Sequence, residues 1–109
     1  MEQPAPIPNE SPAIVDLLIV DVVMEDGWSV GEAVIADLRA RKHVGIERYG
    51  VALQAFNGRD MGLDAYEEAL DLAVYLRGEL AESPGDLNIA ADLRLAVRLL
   101  LRLRGRRPL

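Results

Sequence analysis

Four carboxylates, Asp64, Glu67, Glu68 and Asp71, stand at i, i+3, i+4 and i+7 within residues 62–76, a run with neither Gly nor Pro after its first residue. At about 100° per residue they share one helical face. Asp60, Tyr75 and Glu82 extend that face, and no Lys or Arg falls on it. Like charges at these spacings oppose a helix by roughly 0.2–0.5 kcal/mol per pair. Such a stripe is either fully solvated or holds a divalent cation. The chain has no cysteine and a single histidine, His43. Any ion held here is therefore a hard one on oxygen ligands: magnesium, manganese or calcium. One helix does not complete a six-coordinate shell, so a second helix, a second subunit or water must add ligands.

Basic and polar residues gather ahead of this stripe. Arg39, Arg41, Lys42 and Arg48 precede or enter a Gly-rich segment, and Arg59 lies at its end. Arginine grips phosphate through paired hydrogen bonds, and the same residues also read as ordinary surface charge balance. Tyr49 and Tyr75 could each present a hydroxyl to a phosphate. Phe56 and Asn57 could stack on and hydrogen-bond a base; equally, Phe56 could anchor the loop in the core while Asn57-Gly58 forms a turn. His43 reads as a cap at a helix end rather than as a general base.

The elements that must carry these residues are helical. Ser11-Pro12 is a helix start, followed by a first helix over residues 13–25, with strand as the competitor because of its β-branched content. Glu25 to Trp28 is a turn, and Ser29 to Glu32 has capping-box spacing ahead of a second helix over residues 30–43. Trp28 is expected to cover one end of the core or a subunit interface. Residues 45–59 read as a loop of roughly fifteen residues, long enough to be functional. A third helix covers residues 60–80 and ends at Ser83-Pro84-Gly85. A fourth runs from residue 86 or 87 to 103, with Arg94, Arg98 and Arg102 as a basic stripe and leucines opposite. The fold expected is all-α, a compact four-helix bundle. Its plan is a flexible Pro-rich leader (1–12), a single helical domain (13–104) and a basic tail (105–109). The leucines beyond those a small core needs favour self-association through the fourth helix.

Composition narrows the partners. Half of the 109 residues are hydrophobic and 28% are charged, as in a globular domain. Residues 1–86 carry a net −11 and residues 87–109 a net +5. An acidic body disfavours nucleic acid as the partner. The opening residues lack the basic stretch of a signal peptide, and the longest apolar run, residues 14–24, is interrupted by Asp16 and Asp21. These features predict a cytoplasmic protein, with no membrane partner.

Residues 66–76, Tyr-Glu-Glu-Ala-Leu-Asp-Leu-Ala-Val-Tyr-Leu, are similar to the second metal-binding motif (Glu-x-x-Asp on an apolar helix) of the MazG-like all-α nucleotide pyrophosphohydrolases. Small phage-encoded relatives of that family also carry segments resembling Gly45 to Leu53 and Asn57-Gly-Arg-Asp60 just before the acidic helix. The resemblance spans about residues 30–80. It implies a MazG-like bundle completed by oligomerisation as a dimer or tetramer, in a bacterial or phage-infected host cytoplasm. It implies Mg²⁺-dependent (or Mn²⁺-dependent) conversion of a nucleoside or deoxynucleoside triphosphate to monophosphate and pyrophosphate. By position, Glu68 and Asp71 are then metal ligands, and Glu67 and Asp64 are further ligands or the water-orienting base. The catalytic set is Glu67, Glu68 and Asp71. Arg41, Lys42, Arg48, Tyr49, Asn57 and Arg59 are the substrate-binding set. The family's first Glu-x-x-Glu pair has no counterpart at that spacing, since the second helix offers Glu32, Asp37 and Glu47. The alternatives are a non-catalytic nucleotide- or signal-molecule-binding module of the same fold, and a structural helical interaction protein.

Overall fold

Four helices account for most of the chain: α1 (Ile14–Asp26), α2 (Val30–Tyr49), α3 (Met61–Glu82) and α4 (Leu87–Gly105). The computed structural model describes residues 3–26 and 30–108. Among these there is no strand, only an isolated antiparallel bridge between Ala13 and Gln54. The chain is all-α, as its periodicity predicts. None of the described helices is long and apolar enough to cross a membrane. The chain divides into two compact units, one ending at Arg59 and one beginning at Asp60.

In the first unit, helix wins over strand for residues 14–26 despite six β-branched residues, because α2 offers an antiparallel helical surface to pack on. Ile14 N donates to Leu53 O at 2.8 Å, so Ala13 is tied to the loop by its bridge and the helix starts one residue later than expected. Gly31 is buried against α1, and a Cβ there would meet Val22 Cγ1 at 3.3 Å. Its N–H donates to Asp26 Oδ2 at 2.7 Å. At the other end Lys42 Nζ pairs with Asp16 Oδ1 at 2.9 Å. Ile35 fills the space between these two clamps and is almost fully buried. The proposed capping Ser29 and the turn residue Trp28 lie outside the described residues.

Helix α2 runs six residues past its expected end. Gly45 is helical at a propensity cost of about 1 kcal/mol relative to Ala, and the chain leaves the helix only at Gly50, whose φ of +78° suits a glycine terminator. The loop therefore shortens to residues 50–60. His43 lies inside the helix, exposed, rather than capping its end.

In the second unit, Asp60 is the N-cap of α3 rather than a member of its acidic face: its Oδ1 accepts from Leu63 N at 2.9 Å. Asp86 caps α4 in the same way, accepting from Asn88 N at 2.9 Å and Ile89 N at 3.1 Å. Between them, Ser83 N donates to Glu79 O at 3.0 Å, closing α3 and turning the chain back on itself. The seam is built from alanines: Ala69, Ala73 and Ala96 are the buried residues of this hairpin. Small side chains let the two backbones approach, and the leucines and valines are left to either side of the seam.

Candidate functional site

Because Ala69 and Ala73 face the seam, helical geometry turns positions 64, 67, 68 and 71 to the other side of α3. Glu67, Glu68 and Asp71 are exposed there and Asp64 is half-buried. The predicted stripe thus exists as a surface, continued by the exposed Tyr75. Among the described residues, no three or more Asp, Glu, His or Cys side chains converge closely enough to hold an ion. The donor chemistry nevertheless suits a hard cation. Magnesium commonly takes only one or two carboxylates, with waters and substrate phosphates completing its shell. Glu68 and Asp71 on one exposed face meet that lesser demand.

The substrate-binding set falls in the first unit. Arg41 is exposed on α2, and Lys42, one residue on, is committed to Asp16. Arg48 lies over the ring of Tyr49, its guanidinium carbon 5.5 Å from the centroid, so these two form one cationic–aromatic patch at the end of α2. Asn57 is 1% exposed, and its Oδ1 accepts from Arg59 N at 3.0 Å. Its carbonyl also accepts from Ile7 N at 2.8 Å, while its Nδ2 is buried with no hydrogen-bond partner among the described residues. Arg59 donates from Nη1 to Pro4 O at 2.9 Å.

Residues 50–60 are organised by the Pro-rich leader. The Asn9 amide donates to Ala55 O at 2.8 Å and Phe56 O at 3.0 Å, and Gln54 Nε2 donates to Ser11 O at 2.7 Å. These bonds hold Phe56 at a φ of +57°, a left-handed conformation uncommon for a residue with a Cβ. Phe56 is 91% exposed, so the reading of it as a core anchor gives way to an outward-facing ring on a braced loop.

One titratable group at the edge of α3 is strongly displaced. Asp60 is held down to about 2, first by the hydrogen bond from the Arg107 side chain and then by the backbone N–H of Leu63. Compared with protein-family models, with curated proteins and with solved structures, the chain matches none.

Proposed function

We propose that the chain is a magnesium-dependent pyrophosphohydrolase of nucleoside or deoxynucleoside triphosphates, on the MazG-like pattern its acidic helix resembles. The observation that carries this reading is the exposed carboxylate face of α3, Glu67, Glu68 and Asp71 with Asp64 beside them, which no basic residue of α3 shares. Carboxylates spaced at i, i+3 and i+4 on one helix face repel one another, and a cation bound there relieves that repulsion. Glu68 and Asp71 are the assigned ligands, and Glu67 or Asp64 orients the attacking water. Magnesium, when bound, neutralises charge on the phosphate oxygens and makes a water more acidic. Hydrolysis breaks the bond between the α- and β-phosphates; water supplies the oxygen, and monophosphate and pyrophosphate leave.

Phosphate contacts are assigned to Arg41, Arg48 and Arg59, and to Lys42 once it exchanges Asp16 for phosphate, with Tyr49 beside Arg48 and Asn57 as the residue that shapes the turn before Arg59. The resemblance also carries an expectation of a homo-oligomer without naming the surface that holds it. A non-catalytic nucleotide-binding module is the second reading. It is favoured by the lack of a converged carboxylate group among the described residues and by the missing first acidic pair.

The deciding experiment is a thermal melt with and without magnesium against a panel of nucleoside triphosphates, with pyrophosphate measured in the same samples. Stabilisation with pyrophosphate release supports the hydrolase. Stabilisation without release assigns the binding module, because a ligand that binds only the native state raises its stability without turnover. A flat response leaves the acidic face as solvated surface.

A further inference from the structure

Residues 4–9 read Pro4-Ala-Pro-Ile-Pro-Asn9, so only Ala5, Ile7 and Asn9 carry a backbone N–H there. Such a stretch is extended in advance, has little entropy to lose on docking, and builds neither a helix nor a central strand when released. In the first unit it lies along residues 54–59. Ile7 N donates to Asn57 O at 2.8 Å, Asn9 N donates to Gln54 Oε1 at 3.1 Å, and Gln54 Nε2 donates back to Asn9 O. At the far end Arg59 Nη1 donates to Pro4 O at 2.9 Å. Ile7 also packs on Gly58, where φ is +86° and a Cβ would meet Ile7 Cδ1 at 3.3 Å. All of these contacts lie within the unit that ends at Arg59.

They fall on residues assigned to the substrate. The leader takes a hydrogen bond from the Arg59 guanidinium and sets the Ile7 N–H on the Asn57 carbonyl. It leaves Asn57 Nδ2 buried with no hydrogen-bond partner among the described residues. A buried donor left unpaired bears its full desolvation penalty. The left-handed φ of Phe56, held by Asn9, is a second cost of the docked arrangement. Docking thus satisfies the leader's donors but lacks an acceptor for the loop's own. Asn57 Oδ1 accepts from Arg59 N at 3.0 Å, so the amide and the arginine belong to one turn. A spare amide donor and a guanidinium in one turn suit an anion rich in oxygen acceptors, and polyphosphate is that class.

We propose that Asn57 Nδ2 and the Arg59 guanidinium form a phosphate subsite that the chain's own leader covers as a strap, so that a nucleoside triphosphate binds there only after residues 4–9 lift. The strap rests on the reading of Arg59 as a phosphate contact, and adds to it a second donor and a cover. On binding, phosphate replaces Pro4 O at Arg59 and supplies the acceptor that Asn57 Nδ2 lacks. The apparent affinity is the intrinsic one reduced by the fraction of molecules whose leader has lifted. Because its prolines keep the lifted leader extended, it is ready to close again when phosphate leaves.

Nuclear magnetic resonance and calorimetry on the full chain test this. The probe is inorganic tripolyphosphate in chelator, which carries the phosphates without base, sugar or metal. The Ile7 and Asn9 amides should be protected in the free protein and exchange at least about tenfold faster at saturating probe. The Asn57 Nδ2 protons should move downfield as phosphate accepts from them. Asn9→Ala loosens the leader without removing a group of the subsite, and should bind the probe about tenfold more tightly. A lock gives the converse. The chain has no cysteine, so Ile7→Cys with Gly58→Cys supplies a single disulfide. Oxidised, this variant should bind at least about tenfold more weakly than the same protein reduced. Binding with Ile7 and Asn9 still protected, or equal affinity in the oxidised and reduced forms, would overturn the strap while leaving the Arg59 contact standing. Unmoved Asn57 Nδ2 protons at saturation would remove Asn57 from the subsite. No binding to wild type, Asn9→Ala or the reduced double-cysteine variant would overturn the phosphate assignment itself, and the strap with it.

Discussion

Arg107 Nη2 lies 2.8 Å from Asp60 Oδ2, so the residue that starts α3 is gripped by one just beyond the end of α4. The same carboxylate accepts from Leu63 N through Oδ1. One side chain thus caps a helix and closes the open end of the hairpin. These two contacts lower its pKa to about 2 from an ordinary 3.8. A lowered carboxylate pKa means the folded state prefers the charged form. The stability it contributes is fully present above pH 4 or so and is lost as pH falls through about 2. Asn is itself a good cap, so Asp60→Asn removes the charge while keeping the turn. Its melting temperature should fall slightly below wild type at neutral pH, because an exposed pair is screened by solvent, and the gap should close as pH drops from 4 to 2. A gap of constant size across that window would show that the charge is not what Arg107 reads.

The acidic face of α3 makes opposite predictions with and without metal. In a chelator, Glu68→Gln should raise stability slightly, by roughly 0.2–0.5 kcal/mol for each like-charge pair relieved. In millimolar magnesium the wild type should gain stability and Glu68→Gln should gain less, with pyrophosphate release falling at least about a hundredfold. Paired melts in chelator and magnesium measure the first, and a pyrophosphate assay the second. If both proteins respond identically to magnesium, the ion does not bind through Glu68.

How far the sequence reveals this protein depends on what each residue competes with. The acidic stripe was legible because its spacing is a property of one helix, and α3 places Glu67, Glu68 and Asp71 as the periodicity predicts. Asp60 shares the stripe's spacing but serves as the N-cap of α3. A cap and a first-turn residue have the same spacing on paper, and only the Leu63 N–H decides between them. The end of α2 is hidden in the sequence because Gly45 reads as a breaker, whereas a single glycine costs too little to stop a packed helix. The leader's clamp on residues 54–59 was not legible. Asn9 and Gln54 are 45 positions apart, and nothing local links them.

That clamp has a measurable weight. Asn9→Ala removes the donors to Ala55 O and Phe56 O and the acceptor for Ser11 N, which it holds at 2.7 Å. At about 0.5–1.5 kcal/mol net per hydrogen bond, discounted because Asn9 is exposed, the loss should be about 1–2 kcal/mol. Hydrogen exchange should speed up at the amides of residues 53–58 and stay unchanged along α3 and α4. Uniform loss of protection through both units would mean that Asn9 supports far more than the loop.

Phe56 offers the converse test, since its backbone is strained and its side chain touches little. A left-handed φ of +57° costs a residue with a Cβ on the order of 1 kcal/mol, and glycine pays none of it. With the ring 91% exposed, truncation forfeits little burial. Phe56→Ala should therefore leave the melting temperature nearly unchanged, while Phe56→Gly should raise stability by up to about 1 kcal/mol, less whatever the freer unfolded chain takes back. The two variants separate ring from backbone. If both lower stability equally, the ring is packing against something and the strain is not the governing term. If only Phe56→Gly raises it, the fold holds an aromatic outward at an energetic cost. A nucleotide added to both variants then reads whether the ring is used, because loss of the nucleotide-dependent shift in Phe56→Gly and Phe56→Ala alike would assign the stacking role to Phe56 itself.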